Sequence, residues 1–152
     1  MIASELIKDT LVADGYVFNT TAGDWRLYIG KQPTSPDRVI TIYDAPGLAP
    51  NPKWLLDYPS VQIRIRGGQN DYVVASRKAV EVRNRLLGRE SYNAYVANPA
   101  PDNGKDRVVA INAIGDISSV GWDDSQRPEF VFNLAMIVEP SPTSTPTNRE
   151  PL

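Results

Sequence analysis

The sequence predicts an α+β domain, in which a mixed, mainly antiparallel sheet of about five strands is combined with two helices and followed by an extended C-terminal tail. Two observations predict this class. Apolar residues recur at spacings of three and four in two segments, as in amphipathic helices, and alternate or cluster with β-branched residues in five others. The 152 residues suit one domain, which we place at 1–139, with the tail at 140–152.

The two helices are predicted at Ser4–Asp14 and Tyr72–Gly88. The first carries three apolar residues at helical spacing: Leu6, Ile7 and Leu11. The second carries a longer apolar stripe formed by Tyr72, Ala75, Ala79, Val82 and Leu86 and widened by Val73, Val80 and Leu87. Gly15 and Gly88 follow the two stripes, where helices commonly end in a left-handed residue.

The strands are predicted in five segments: Trp25–Gly30, Arg38–Tyr43, Val61–Arg66, Arg107 to about Ser118, and Glu129–Glu139. Strict alternation in Val61–Arg66 indicates one buried face and one solvated face. The last two strands are joined by a turn within Gly121–Pro128, which predicts an antiparallel hairpin. Asp44–Pro59 and Glu90–Asp106 are predicted to be loops.

The tail contains four prolines among Ser, Thr and Asn residues, so it cannot bury enough apolar surface to offset the cost of ordering it. We expect it to be extended. In an oligomer we expect it to lie on a neighbouring subunit.

Two absences restrict the chemistry of the chain. Without cysteine there is no disulfide, thiolate nucleophile or thiolate metal site, and without histidine there is no imidazole base. We therefore expect a structural protein with no catalytic residues, no metal and no cofactor. A carboxylate- or magnesium-dependent hydrolase is the alternative from another class. The N-terminus lacks the pattern of a signal peptide and no apolar run suits a membrane span, which predicts folding in the cytoplasm.

Three clusters have competing interpretations. Arg64, Arg66, Gly67 and Gly68 resemble a nucleic-acid-binding patch, but the net charge of −2 favours an exposed strand face leading into a turn. Asp116, Asp123, Asp124 and Glu129 suggest a metal site, although acidic turn residues are commoner. Trp54, Leu55 and Leu56 form either a plug folded onto the sheet, which we favour, or a patch that faces a partner.

Charge is unevenly distributed along the chain. Residues 1–60 carry a net charge of −2, residues 61–90 of +4 and residues 91–152 of −4. Opposed charged faces can join copies head to tail into a ring, whereas pairing within one chain is the alternative. The candidate residues for a subunit or tube interface are Arg64, Arg66, Arg77, Lys78, Arg85, Trp54, Leu55 and Leu56.

The stretch from Asp57 to Gly67 resembles the central strand of a phage family of tail terminators or minor capsid proteins. In that family a Pro-x-Val-Gln-Ile-x-x-Arg-Gly strand leads into a helix that ends in Leu-x-Gly or a close variant, here Tyr72–Gly88. Ile114-Gly115-Asp116, Gly121-Trp122-Asp123 and Arg127–Asn133 are similar to the family's final hairpin. The resemblance spans about residues 1–140.

The resemblance implies a sheet with helices packed on one face and a ring, of six subunits, at the head-proximal end of a tail tube. Such a ring stops polymerisation of the tube and docks the head connector, and DNA passes through its lumen without specific binding. A neutral or acidic lining would not retard the phosphates, so we place some of Asp116, Asp123 and Asp124 there. A connector stopper or a tail tube subunit is the alternative phage role.

Overall fold

The computed structural model describes residues 2–18, 25–88, 90–93, 106–142 and 147–151. Two helices and seven strands follow one another in these residues: α1 (Ala3–Ala13), β1 (Val17–Phe18), β2 (Arg26–Ile29), β3 (Val39–Leu48), β4 (Tyr58–Arg66), α2 (Tyr72–Leu86), β5 (Glu90–Asn93), β6 (Arg107–Trp122) and β7 (Pro128–Glu139). All seven strands form one sheet in the order β1-β2-β3-β4-β7-β6-β5.

The sheet is mixed and mainly antiparallel, which confirms the predicted class. β1 and β2 run parallel, as do β2 and β3, and the other four pairs are antiparallel. The sequence predicted five of these strands and missed β1 and β5. Both lie at an edge of the sheet and span two and four residues, too short for an alternating pattern to be seen.

Both helices cover the same face of the sheet. Ile40 and Ile42 of β3 lie opposite Ile65 and Ile63 of β4, and these four side chains are fully buried. The helices pack on this layer through a set of buried apolar residues: Leu6, Ile7, Leu11, Ala75, Ala79, Val82 and Leu86. α1 is also tied to β3, because the Ser4 hydroxyl donates a hydrogen bond of 2.6 Å to the Asp44 carboxylate.

The buried stripe of α2 is narrower than the sequence predicted. Val73 and Val80, expected to widen it, are 56% and 38% exposed. The two alanines of the stripe let the helix lie close to the sheet, so only a narrow face is covered and residues beside it stay in solvent. Tyr72 is 43% exposed, although its ring packs edge-on against Phe130 at 4.9 Å between centroids.

Three strands extend further than predicted, and β4 begins at Tyr58, three residues before the predicted Val61. β3 continues to Leu48, so the expected loop at 44–59 begins later, and Pro46 lies in the register irregularity between Ala45 and Leu48. A proline is tolerated there because the ladder is already interrupted. β6 continues to Trp122, past the expected end at Ser118. Within the predicted loop at 90–106, β5 occupies 90–93, and 94–105 lie outside the described residues.

Candidate assembly surfaces

The outer face of the sheet, opposite the helices, is partly covered by the connection between β2 and β3. Arg66 of β4 fixes this connection to the sheet, because its guanidinium donates to the carbonyl oxygens of Pro33 (2.6 Å), Pro36 (2.7 Å) and Asp37 (2.9 Å). Arg66 is only 2% exposed. The prediction that Arg66 lies on an exposed strand face is therefore wrong, and this residue does not belong to the candidate interface.

A second arginine holds the same connection from the β6–β7 turn. Arg127 donates to the Thr34 carbonyl at 2.6 Å and to the Asp123 carboxylate at 2.7 Å. Asp123 also accepts the backbone N–H groups of Ser125 and Arg127, each at 2.9 Å. Burial alone would raise the pKa of the Asp123 carboxyl, but these hydrogen bonds outweigh it and hold the pKa below its ordinary value of 3.8.

We expect the contribution of Asp123 to stability to disappear in acid. Because its folded-state pKa is lowered, the contribution is complete above 3.8 and is lost as the pH falls through the folded value. Asp123→Asn should therefore be less stable than the wild type at neutral pH, and the gap should close below pH 3.8. Urea unfolding across this range measures it. Asp124→Asn, at an exposed carboxyl with no partner in the described chain, is the control. A gap independent of pH would contradict the assignment.

The other predicted basic residues differ in their surroundings. Arg64 is half-buried on the outer face and pairs with no carboxylate of the described residues. Lys78 forms an ion pair with Glu81 at 2.8 Å, and Arg77 and Arg85 are exposed on α2.

Tyr16 donates a hydrogen bond to the same Glu81 carboxylate. Hydrogen bonds from Lys78 and then from Tyr16 lower the pKa of Glu81.

Within the described residues, an ion pair joins the basic and acidic blocks of the same chain. Arg83 of α2 contacts Asp116 of β6 at 2.5 Å, although the Asp116 side chain is 81% exposed. Pairing within one chain therefore accounts for part of the charge pattern. Asp124 is exposed at the β6–β7 turn.

The predicted plug divides between core and surface. Leu55 is 3% exposed and Leu56 is half-buried, so for them folding back onto the domain is confirmed, whereas Trp54 is 38% exposed beneath the Lys53 ammonium. Residues 147–151 of the tail lie on this segment. Leu55 donates its N–H to the Glu150 carbonyl at 2.7 Å, and Arg149 contacts the Asp57 carboxylate at 2.6 Å. Residues 147–151 thus rest on their own chain, and contact of the tail with a neighbouring subunit stays a prediction.

Two surfaces of the described chain expose apolar side chains. The first, which we call the Leu48 groove, is a cavity of about 330 Å³ on the outer face, lined mainly by Pro46, Leu48, Tyr58, Ile114, Ala135 and Ile137. Leu48 is 79% exposed. Sequence reasoning missed this groove, because Leu48 stands in a proline-rich stretch without periodicity and is brought to Ile114 and Ile137 only by the sheet.

The second, which we call the β6 edge segment, is Ile117–Trp122. β5 pairs with β6 only as far as Ala110, so no strand of the described residues covers this edge beyond that point. Val120 and Trp122 are 51% and 48% exposed, although the Trp122 ring lies 6.0 Å from that of Tyr72 and Ile117 packs against the core. Exposed strand edges are sites at which another chain can add.

The described residues contain no group of three or more His, Cys, Asp or Glu side chains placed to hold a metal ion. No helix among them is long and apolar enough to cross a membrane. What the described surface offers is apolar and main-chain contact, which is the chemistry of protein assembly.

Comparison with known proteins agrees with this interpretation. No curated protein sequence matches the chain. The model of the family described as bacteriophage tail terminator protein matches residues 13–140, which include β1 to β7 and both arginines that hold the β2–β3 connection. The resemblance inferred from the central strand is thereby confirmed, and the chain belongs to the bacteriophage tail terminator protein family and is a structural component of the phage tail.

Proposed function

We propose that the chain forms a homo-oligomeric ring, of six copies, at the head-proximal end of the tail tube. There it stops the tube from growing and joins the tail to the head connector. The observation that carries this proposal is the family match, which spans all seven strands of the sheet. Exposed apolar surfaces on both the outer face and the β6 edge support it, since a monomer seldom leaves such surfaces in water.

A ring stops a tube by geometry. A tube grows because each added layer presents the same surface to the next, whereas a capping ring presents a different one. The ring then offers this surface to the connector, so its partners are its own copies, the tube protein and the connector or stopper protein. The ring assembles in the host cytoplasm and is located at the neck of the virion. The role is structural and involves no catalytic step.

DNA crosses the lumen of such a ring without specific contacts. We place some of Asp116, Asp123 and Asp124 at the lumen, since an acidic lining does not hold phosphates. Asp124 fits this role best among the three, because it is exposed and its charge is not paired in the described chain. Asp116 and Asp123 each contact an arginine.

The length of assembled tails tests the proposal. The tail tube genes are expressed with and without this chain, and tube lengths are measured by electron microscopy. We expect tubes of uniform length with a ring at one end when the chain is present, and overlong tubes of broad length distribution when it is absent. Equal length distributions would contradict the terminator role.

The same experiment separates the alternative phage roles. A connector stopper should leave tube length unchanged and copurify with heads, and a tube subunit should be needed for any tube to form. Light scattering on the purified chain supplies the mass of its assembly independently of the tube.

A further inference from the structure

We propose that neighbouring copies in the ring join by a heterologous apolar contact, in which the Leu48 groove of one copy receives the β6 edge segment of the next. This inference rests on the proposed ring and names the surfaces that close it. The residues of this contact are uncharged, unlike those of the basic and acidic blocks.

The groove requires an uncharged occupant. None of the residues that line its 330 Å³ is charged, and apolar side chains such as Leu48 and Ile114 dominate its surface. A charged group placed there would lose its hydration without gaining a counter-charge. An apolar occupant would instead remove the exposed surface of Leu48 and Ile114, which are 79% and 51% exposed, from water.

The β6 edge segment meets this requirement. Its sequence, Ile-Ser-Ser-Val-Gly-Trp, has no ionisable side chain, and it presents Val120 and Trp122 beside a main-chain edge that no strand of the described residues covers. The exposed valines of α2 are less suited to the groove. Val73 and Val80 on α2 flank Arg77, whose charge would enter with them.

The two surfaces cannot meet within one chain. They occupy different stretches of the β6–β7 hairpin: the groove includes Ile114 of β6, and the segment begins three residues further along the same strand, at Ile117. Val120 lies six residues of extended strand, about 20 Å, from Ile114, so the hairpin cannot place the segment in its own groove. A contact between two copies therefore leaves one groove and one segment free for further copies. Such a heterologous contact closes into a ring when the rotation between copies permits.

Cysteine cross-linking tests the contact directly, because the chain has no cysteine of its own. Leu48→Cys and Val120→Cys variants are purified separately, mixed and mildly oxidised, both in solution and in tails assembled by coexpression. We expect a disulfide-linked pair in the mixture and little in either variant alone. The double variant should give a ladder that ends at the ring number. Val73→Cys, equally exposed but on α2, replaces Val120→Cys in the control.

Light scattering adds a second measurement. Leu48→Asp should abolish the ring-sized species with unchanged circular dichroism, because Leu48 contributes little to the core, whereas Val73→Asp should retain the ring. High salt should leave the wild-type ring intact, since the contact is uncharged. A salt-sensitive ring that survives Leu48→Asp would assign the contact to the charged blocks and overturn the inference.

The outcomes also separate this inference from the proposed function. A ring that forms without the cross-link between positions 48 and 120 refutes the contact and leaves the ring in place. A chain that stays monomeric both in solution and on tails refutes the ring itself.

Discussion

Replacing Arg66 by methionine is expected to lower the free energy of unfolding by about 2–4 kcal/mol. The guanidinium donates to three carbonyl oxygens of the β2–β3 connection from a position that is 2% exposed. Methionine fills a similar volume but donates no hydrogen bond, so the carbonyls of Pro33, Pro36 and Asp37 lose their charged partner. Urea denaturation followed by tryptophan fluorescence measures the loss.

The matched control is Arg64→Met. Arg64 lies two residues earlier on the same strand and face, but it has no hydrogen-bond or carboxylate partner among the described residues, and its Nε is buried without one. Methionine there should change stability by less than about 0.5 kcal/mol. Similar losses at both positions would show that arginine contributes through general packing and not through the three carbonyls.

Replacing Gly67 by alanine is expected to destabilise the fold by about 1–3 kcal/mol. A Cβ at this position would lie 2.7 Å from the Cβ of Ala75 and 3.2 Å from the carbonyl oxygen of Asp71. Both belong to the start of α2, so the helix must shift away from β4. Thermal unfolding and urea denaturation report this loss, and a smaller residue at position 75, as in Ala75→Gly, should recover part of it.

Gly68→Ala is the control for the neighbouring position. Its Cβ would meet nothing closer than 3.7 Å, which is ordinary van der Waals contact. We expect no loss, and a small gain in stability because alanine restricts the unfolded chain. If both glycines tolerated alanine equally, close packing of α2 against β4 would not explain Gly67.

For Arg66 and Gly67, the sequence was enough to recognise the family motif, but only the structure shows what the two residues do in the fold. The order Arg-Gly after an alternating strand indicated the family from sequence, but it predicted an exposed arginine. The partners of Arg66 are 29 to 33 residues away in the chain, and only the path of the β2–β3 connection brings them to its side chain. Local patterns contain no information about such contacts.

The candidate surfaces also divide into features that local sequence indicates and features that depend on the packed sheet. Leu55 was correctly favoured as a buried plug, since an apolar cluster within a proline-rich loop is costly to leave in water. Leu48 was overlooked, because its exposure depends on where β3 ends and which strands lie beside it. Likewise, only the folded chain shows that residues 147–151 of the tail bond to the segment around Leu55.

The sequence by itself determined the periodic elements, the α+β class, the order of its main strands and the family. Each depends on residues within one segment, where spacings of two or of three and four reflect strand and helix geometry. The tertiary structure alone decided which strands lie side by side in the sheet, the edge strands, the burial of Arg66 and the two exposed apolar surfaces. Those features depend on residues far apart in sequence, and only the packed sheet brings them together.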